Sequence, residues 1–100
     1  MMLNPPGETR ELRDALTKQA AADVVRLSIF RRRAFQTDVA RWSGLSRSFL
    51  RSVLRAEKSS SLFLFLELSR GLGADPCELL REVLNRRDVL RGGPETSKRS

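Results

Sequence analysis

Between Gly7 and Gly44 the chain carries neither glycine nor proline. A run with no local breaker favours a long continuous element over several short ones. Thr9 is a candidate N-cap, and the helical pattern predicts one helix from Arg10 to about Arg33, or two joined near Ala20–Asp23. Two apolar stripes run along it at helical spacing: Leu12, Leu16, Leu27 and Phe30 on one, Ala22, Val25 and Ile29 on the other. A helix apolar on two sides has two things to bury against. One is the rest of the domain, and the other is a second subunit.

Breakers then come quickly. A short helix is expected over Gln36–Ser43, a turn at Gly44-Leu45, and a helix from Arg47 to Arg55 capped by Ser46. Glu57 to Ser60 reads as a loop, and a fourth helix follows and ends near Gly71-Leu72-Gly73. Asp75-Pro76-Cys77-Glu78 opens a fifth helix with a cap, a first-position proline and a capping-box acid, running to Arg87 or Leu90. There is no sustained strand alternation. The expectation is all-α. Residues 1–8 read as a disordered lead-in, 9–22 as an N-terminal helical extension, 21–90 as the globular domain and 91–100 as a disordered tail.

The 100 residues include one cysteine and no histidine. That removes a disulfide framework, multi-cysteine metal sites and the usual general base. No glycine-rich phosphate loop is present either, so neither an enzyme nor a cofactor is expected, and no metal site. No apolar run approaches about 18 residues, and the first ten lack a signal peptide's order. A cytoplasmic protein with no membrane association is expected.

Charge is unevenly placed. From Arg26 to Lys58 nine basic residues stand against Asp38 and Glu57, which accounts for the whole net charge of +7. Concentrated charge of one sign is the footprint of a phosphate-backbone binder. The pattern sharpens in Arg47–Arg55. At 100° per residue, Arg47, Ser48, Arg51, Ser52 and Arg55 fall within an arc of about 140°, opposite Phe49, Leu50, Val53 and Leu54. Arginines at i, i+4 and i+8 repel one another unless a polyanion neutralises them.

The stretch QTDVARWSGLSRSFLRSVLRAEKSSSLFLFLELSRGLGADPCELL resembles the helix-turn-helix regulators of the phage-repressor and Cro-like kind, the XRE family. The matching series is Gln36, Val39-Ala40, Gly44, Leu45-Ser46, Leu50, Val53, Leu62, Leu66, Leu72 and the closing LGADPCELL. The resemblance implies a compact five-helix domain that places the third helix in the major groove. It puts base reading on Arg47, Ser48, Arg51 and Ser52. Phosphate contacts fall on Gln36, Thr37, Arg41, Arg55, Lys58 and Ser59.

The chain departs from the family at four places. Ile29 and Leu54 stand where the family commonly has an Arg–Glu pair, so they are expected to touch. Ala56 replaces a glycine, which suggests a slightly longer third helix. Ser60 replaces a proline. Phe35 replaces a small polar residue, which weakens the second helix's cap and adds to the core.

On the fourth helix, Leu62, Phe65, Leu66 and Leu72 share the expected core face. Phe63 and Leu64 point elsewhere and, with Leu12 and Leu16, are the expected dimer or partner surface. Trp42 is expected to pack on the first helix, and Cys77 to be half-buried. Arg31-Arg32-Arg33 suits both a helix C-terminus and DNA phosphates. The favoured function is a sequence-specific, double-stranded DNA-binding transcriptional regulator, a homodimeric repressor on a palindromic operator. The alternatives are an antitoxin that binds DNA and neutralises a protein toxin, and an adaptor whose basic patch meets an acidic protein.

Overall fold

The computed structural model describes residues 7–92. They form five α-helices: α1 Arg10–Arg31, α2 Gln36–Ser43, α3 Arg47–Leu54, α4 Leu62–Leu72 and α5 Pro76–Leu90. The fold is all-α, as the breaker spacing predicts. Local caps start the helices where expected. Thr9 Oγ1 accepts from the Leu12 amide at 3.1 Å, Ser46 Oγ from Phe49 at 3.0 Å, Ser61 Oγ from Leu64 at 3.2 Å and Asp75 Oδ1 from Cys77 at 3.0 Å. Each supplies a partner for an amide that the helix itself leaves open.

Helix α1 is one unbroken rod, with no joint at Ala20–Asp23. It packs along α5 and against α3, while α2 packs on α4. The core gathers Ala20, Val24, Val25 and Ile29 of α1 with Val39, Leu50, Leu54, Leu68, Leu72 and Leu79. Ile29 and Leu54 are both buried in that cluster, the shared burial that their expected contact requires. The α1 stripe that begins at Leu12 fares differently. Leu12, Leu27 and Phe30 are exposed and Leu16 is half-buried.

Most of the expected lead-in and tail, residues 1–6 and 93–100, lies outside the described residues, but Glu8 and Arg91 fall within them. The Arg91 guanidinium grips the Glu8 carboxylate through two hydrogen bonds, at 2.8 and 3.0 Å, and reaches Asp88 at 3.0 Å. The Glu8 side chain is only 4% exposed and that of Arg91 15%. This fork holds the start of α1 to the end of α5 and raises the Arg91 pKa further above its ordinary value, chiefly through the Glu8 hydrogen bond.

Two other expectations fail. Cys77 is exposed, because the first turn of α5 presents it outward while Leu79 and Val83 face the core. Leu62 and Leu66 are exposed as well. Helix α4 buries Leu68, Ser69, Gly71 and Leu72 in its second half and sets Phe65 against the core, while Leu62 and Leu66 stay in the open.

Candidate nucleic-acid interface

Helices α2 and α3 are joined by Gly44-Leu45-Ser46. Gly44 sits at φ 72°, a left-handed conformation that L side chains adopt at a cost. The Leu45 amide donates back to the Ala40 carbonyl at 2.9 Å, closing α2 so that α3 leaves at once in a new direction. Helix α3 then divides by face. Leu50, Val53 and Leu54 are buried and Phe49 is half-buried, while Arg47, Ser48, Arg51 and Arg55 are exposed. Ser52 is half-buried and its hydroxyl donates to the Ser48 carbonyl at 3.1 Å. Its donor is therefore in use, and Ser52 presents its oxygen as an acceptor.

The far end of α3 is closed in the same way by a residue that is not glycine. Ala56 takes φ 61°, and the Glu57 amide donates to the Ser52 carbonyl at 2.9 Å. The helix thus stops at Leu54 rather than running longer. The left-handed turn is retained although the glycine that normally accommodates it is missing. Arg26 of α1 supports the same end, donating to the Leu54 carbonyl at 2.6 Å.

The basic segment separates into structural and free cations. Arg26 is committed to Leu54. Arg32, the C-cap of α1, donates to the Leu72 carbonyl and lies 5.3 Å above the Trp42 ring centroid, so Trp42 meets the end of α1 while remaining exposed. Arg31 lies 3.9 Å from Glu82, and Arg41 pairs with Asp38 at 3.2 Å. The side chains of Arg33, Arg47, Arg51, Arg55 and Lys58 have neither an ion pair nor a hydrogen bond among the described residues. All five are exposed. In the sequence Arg31-Arg32-Arg33 carry both roles together, helix end and phosphate contact, because a triple arginine does not show which member is tied down.

Gln36 and Thr37 open α2 with exposed side chains. Their backbone amides have no acceptor, as at any helix start. Phe35 supplies no side-chain cap. Instead Asp38 Oδ2 accepts from the Phe35 amide at 3.2 Å. The Phe35 ring does not enter the core. It is 75% exposed. Ser59 is exposed in the loop between α3 and α4.

Of the expected partner surface, Phe63 is 66% exposed and Leu12 is exposed, but Leu64 is half-buried against the fold. The exposed row on α4 is Leu62, Phe63 and Leu66. It borders an apolar groove of about 390 Å³ whose lining includes Phe65, Leu80 and Val83. No helix among the described residues is long and apolar enough to cross a membrane.

Neither a protein-family model nor a curated protein sequence matches the chain. A solved structure does: the crystal structure of the clp gene regulator ClgR from C. glutamicum, with a TM-score of 0.64 and 22% identity, covering 69% of this chain and 90% of that one. This chain shares that regulator's fold. The match establishes architecture. What the exposed face of α3 does has to be argued from its own chemistry.

Proposed function

We propose that this protein is a sequence-specific double-stranded DNA-binding transcriptional regulator that acts from the cytoplasm as a homodimeric repressor and inserts α3 into the major groove. One observation carries the reading. Arg47, Arg51 and Arg55 line one exposed face of α3 with no acid to pair with, and the opposite face is anchored in the core. Self-repelling cations that the fold leaves uncompensated are stabilised when a polyanion arrives.

Arg47 and Arg51 suit guanine O6 and N7, to which a guanidinium donates two bonds, and Ser48 and Ser52 suit adjacent base edges. Gln36 and Thr37 offer open amides at the positive end of α2, where a phosphate oxygen is favoured. Arg41, Arg55, Lys58 and Ser59 continue the phosphate contacts on both sides of α3. One module of this size buries little DNA, and two-fold pairing doubles the contact and reads half-sites about 34–36 Å apart. Leu12, the half-buried Leu16, and Phe63 with its neighbour Leu64 form the proposed pairing surface, to which the exposed Leu62 and Leu66 are now added. Occupancy of a promoter then represses without a further domain.

The test is selection of bound duplexes from a random pool, run beside a measurement of solution mass. The expected result is a palindromic site bound by a dimer. Retention of random and selected duplexes alike, or a monomer on an asymmetric site, contradicts the reading. The exposed α4 row also favours one alternative, an antitoxin whose apolar surface covers a protein toxin; a stoichiometric small partner that dissolves the homodimer identifies it.

A further inference from the structure

Phe30 and Phe35 are the most exposed large apolar side chains among the described residues, at 77% and 75%. They flank the junction between α1 and α2. A hollow of about 530 Å³ is lined by both rings with Arg31, Arg33 and Ala34. A second, of about 490 Å³, shares Phe30 and is lined by Val24, Arg26 and Leu27 with the Asp23–Arg86 pair. Phe30 is therefore a ridge between two depressions, and Leu27 adds exposed apolar surface to one of them.

Both rings are locally unfavourable for the chain alone. Phe35 occupies the N-cap of α2, where a serine or aspartate would satisfy an amide. It provides no such bond and leaves its ring in water. Phe30 adds a second wet ring one helix end away. Adjacent exposed aromatics mark a contact surface more often than they mark chance.

The charge around them is positive. Arg33 is unpaired. Arg26 is hydrogen-bonded to a neutral carbonyl, which leaves its charge uncompensated. Arg31 meets Glu82 only at 3.9 Å. The nearby acids are engaged: Asp23 with Arg86 at 2.9 Å and Asp38 with Arg41 at 3.2 Å. A second copy seated ridge to ridge would set Arg26, Arg31 and Arg33 against themselves. A DNA backbone would reward Arg33 but would gain nothing from two benzyl groups. Complementarity to both features calls for carboxylates alternating with bulky apolar side chains.

We propose that the Phe30–Phe35 ridge docks an acidic amphipathic segment of a different protein. Apolar side chains of that segment enter the two hollows, and its carboxylates meet Arg26, Arg31 and Arg33. The ridge adjoins Gln36 and Thr37 at the start of α2, so the partner is held beside any DNA bound there.

The experiment is selection of peptides from a random displayed library against the full chain, followed by affinity measurement on the winners. Winners should combine Asp or Glu with Leu, Phe or Trp, and should weaken as salt is raised. Against F30Q/F35S they should lose about tenfold or more in affinity. Glutamine keeps helix propensity at position 30 and serine improves the cap at 35, so this variant is expected to melt no lower than the parent. Failure to enrich any peptide, basic or uncharged winners, or undiminished binding to F30Q/F35S each overturns the proposal. A fall in solution mass for the variant assigns the ridge to a second copy instead. A fall in duplex affinity assigns it to DNA, and unchanged duplex affinity leaves the DNA-binding reading untouched by either result.

Discussion

Gly71 of α4 lies so close to Ser43 of α2 that a Cβ added to it would stand 2.9 Å from the Ser43 amide nitrogen and closer still to its hydroxyl. Hydrogen at this one position lets the two helices touch, and α2 carries the turn from which α3 departs. G71A should therefore cost about 1–3 kcal/mol, because backbone as well as side chain must shift. Thermal melting reads the loss, and an unchanged midpoint shows that the contact yields freely.

Ser43 is buried, and its hydroxyl has no hydrogen-bond partner among the described residues. S43A removes an unsatisfied polar atom and should stabilise by about 1 kcal/mol. In the G71A background it should recover part of the loss but not all, since the amide nitrogen remains. A double-mutant cycle measures that coupling directly. Strict additivity contradicts the steric account.

Ala56 is held at φ 61° to end α3. A56G relieves a left-handed alanine and loses some unfolded-state restriction, for a net gain of about 0.5–1 kcal/mol. A lower melting point for A56G means the turn is held by its neighbours rather than strained.

Glu8 and Arg91 join the two ends of the described chain. E8Q halves the fork and leaves a half-buried guanidinium under-compensated, at a cost of about 1–2 kcal/mol. The Arg91 pKa is raised by folding. A raised cation contributes its full stability below its unfolded pKa and loses it only as pH climbs past that value. For an arginine this lies at the alkaline extreme, so the Arg91 contribution is expected to be flat from pH 5 to 9. Denaturant melts of E8Q and parent across that range check both size and flatness.

On a selected duplex, R47A should cost about 1–3 kcal/mol and relax preference at one base position. K58A should weaken selected and random duplexes alike and reduce the salt slope by about 1. Anisotropy titrations at several salt concentrations separate the two. An equal loss for R47A on every sequence moves Arg47 from the bases to the backbone.

The sequence disclosed what short-range chemistry decides. Ser46, Ser61, Thr9 and Asp75 begin helices because each side chain reaches an amide two or three residues on. Arg47, Arg51 and Arg55 share a face because helical period alone places them there. Periodicity failed where it had to choose which face has a neighbour. Leu62 and Leu66 align with Leu72 on a wheel, yet of the three only Leu72 is buried, and the fully buried residues of α4 all lie in its second half. The same holds for the two stripes of α1: Leu27 and Phe30 are exposed while Val25 and Ile29 are buried, and period alone does not say which stripe meets the domain. Ala56 was misread because alanine carries no signal for a left-handed turn that surrounding hydrogen bonds impose. The Glu8–Arg91 fork spans nearly the whole chain, a separation at which no residue pattern marks a partner.

The Glu8–Arg91 clasp also governs how the molecule can be extended. Along α1, Glu8 stands about 27 Å from Arg26, at 1.5 Å per residue, and Arg26 marks where α3 rests on that rod. Residues 7 and 92, on either side of the clasp, therefore share one corner, well away from the arginine row. A probe attached at that corner should leave the arginine face of α3 uncovered, and a short linker between residues 7 and 92 offers a route to circular permutation.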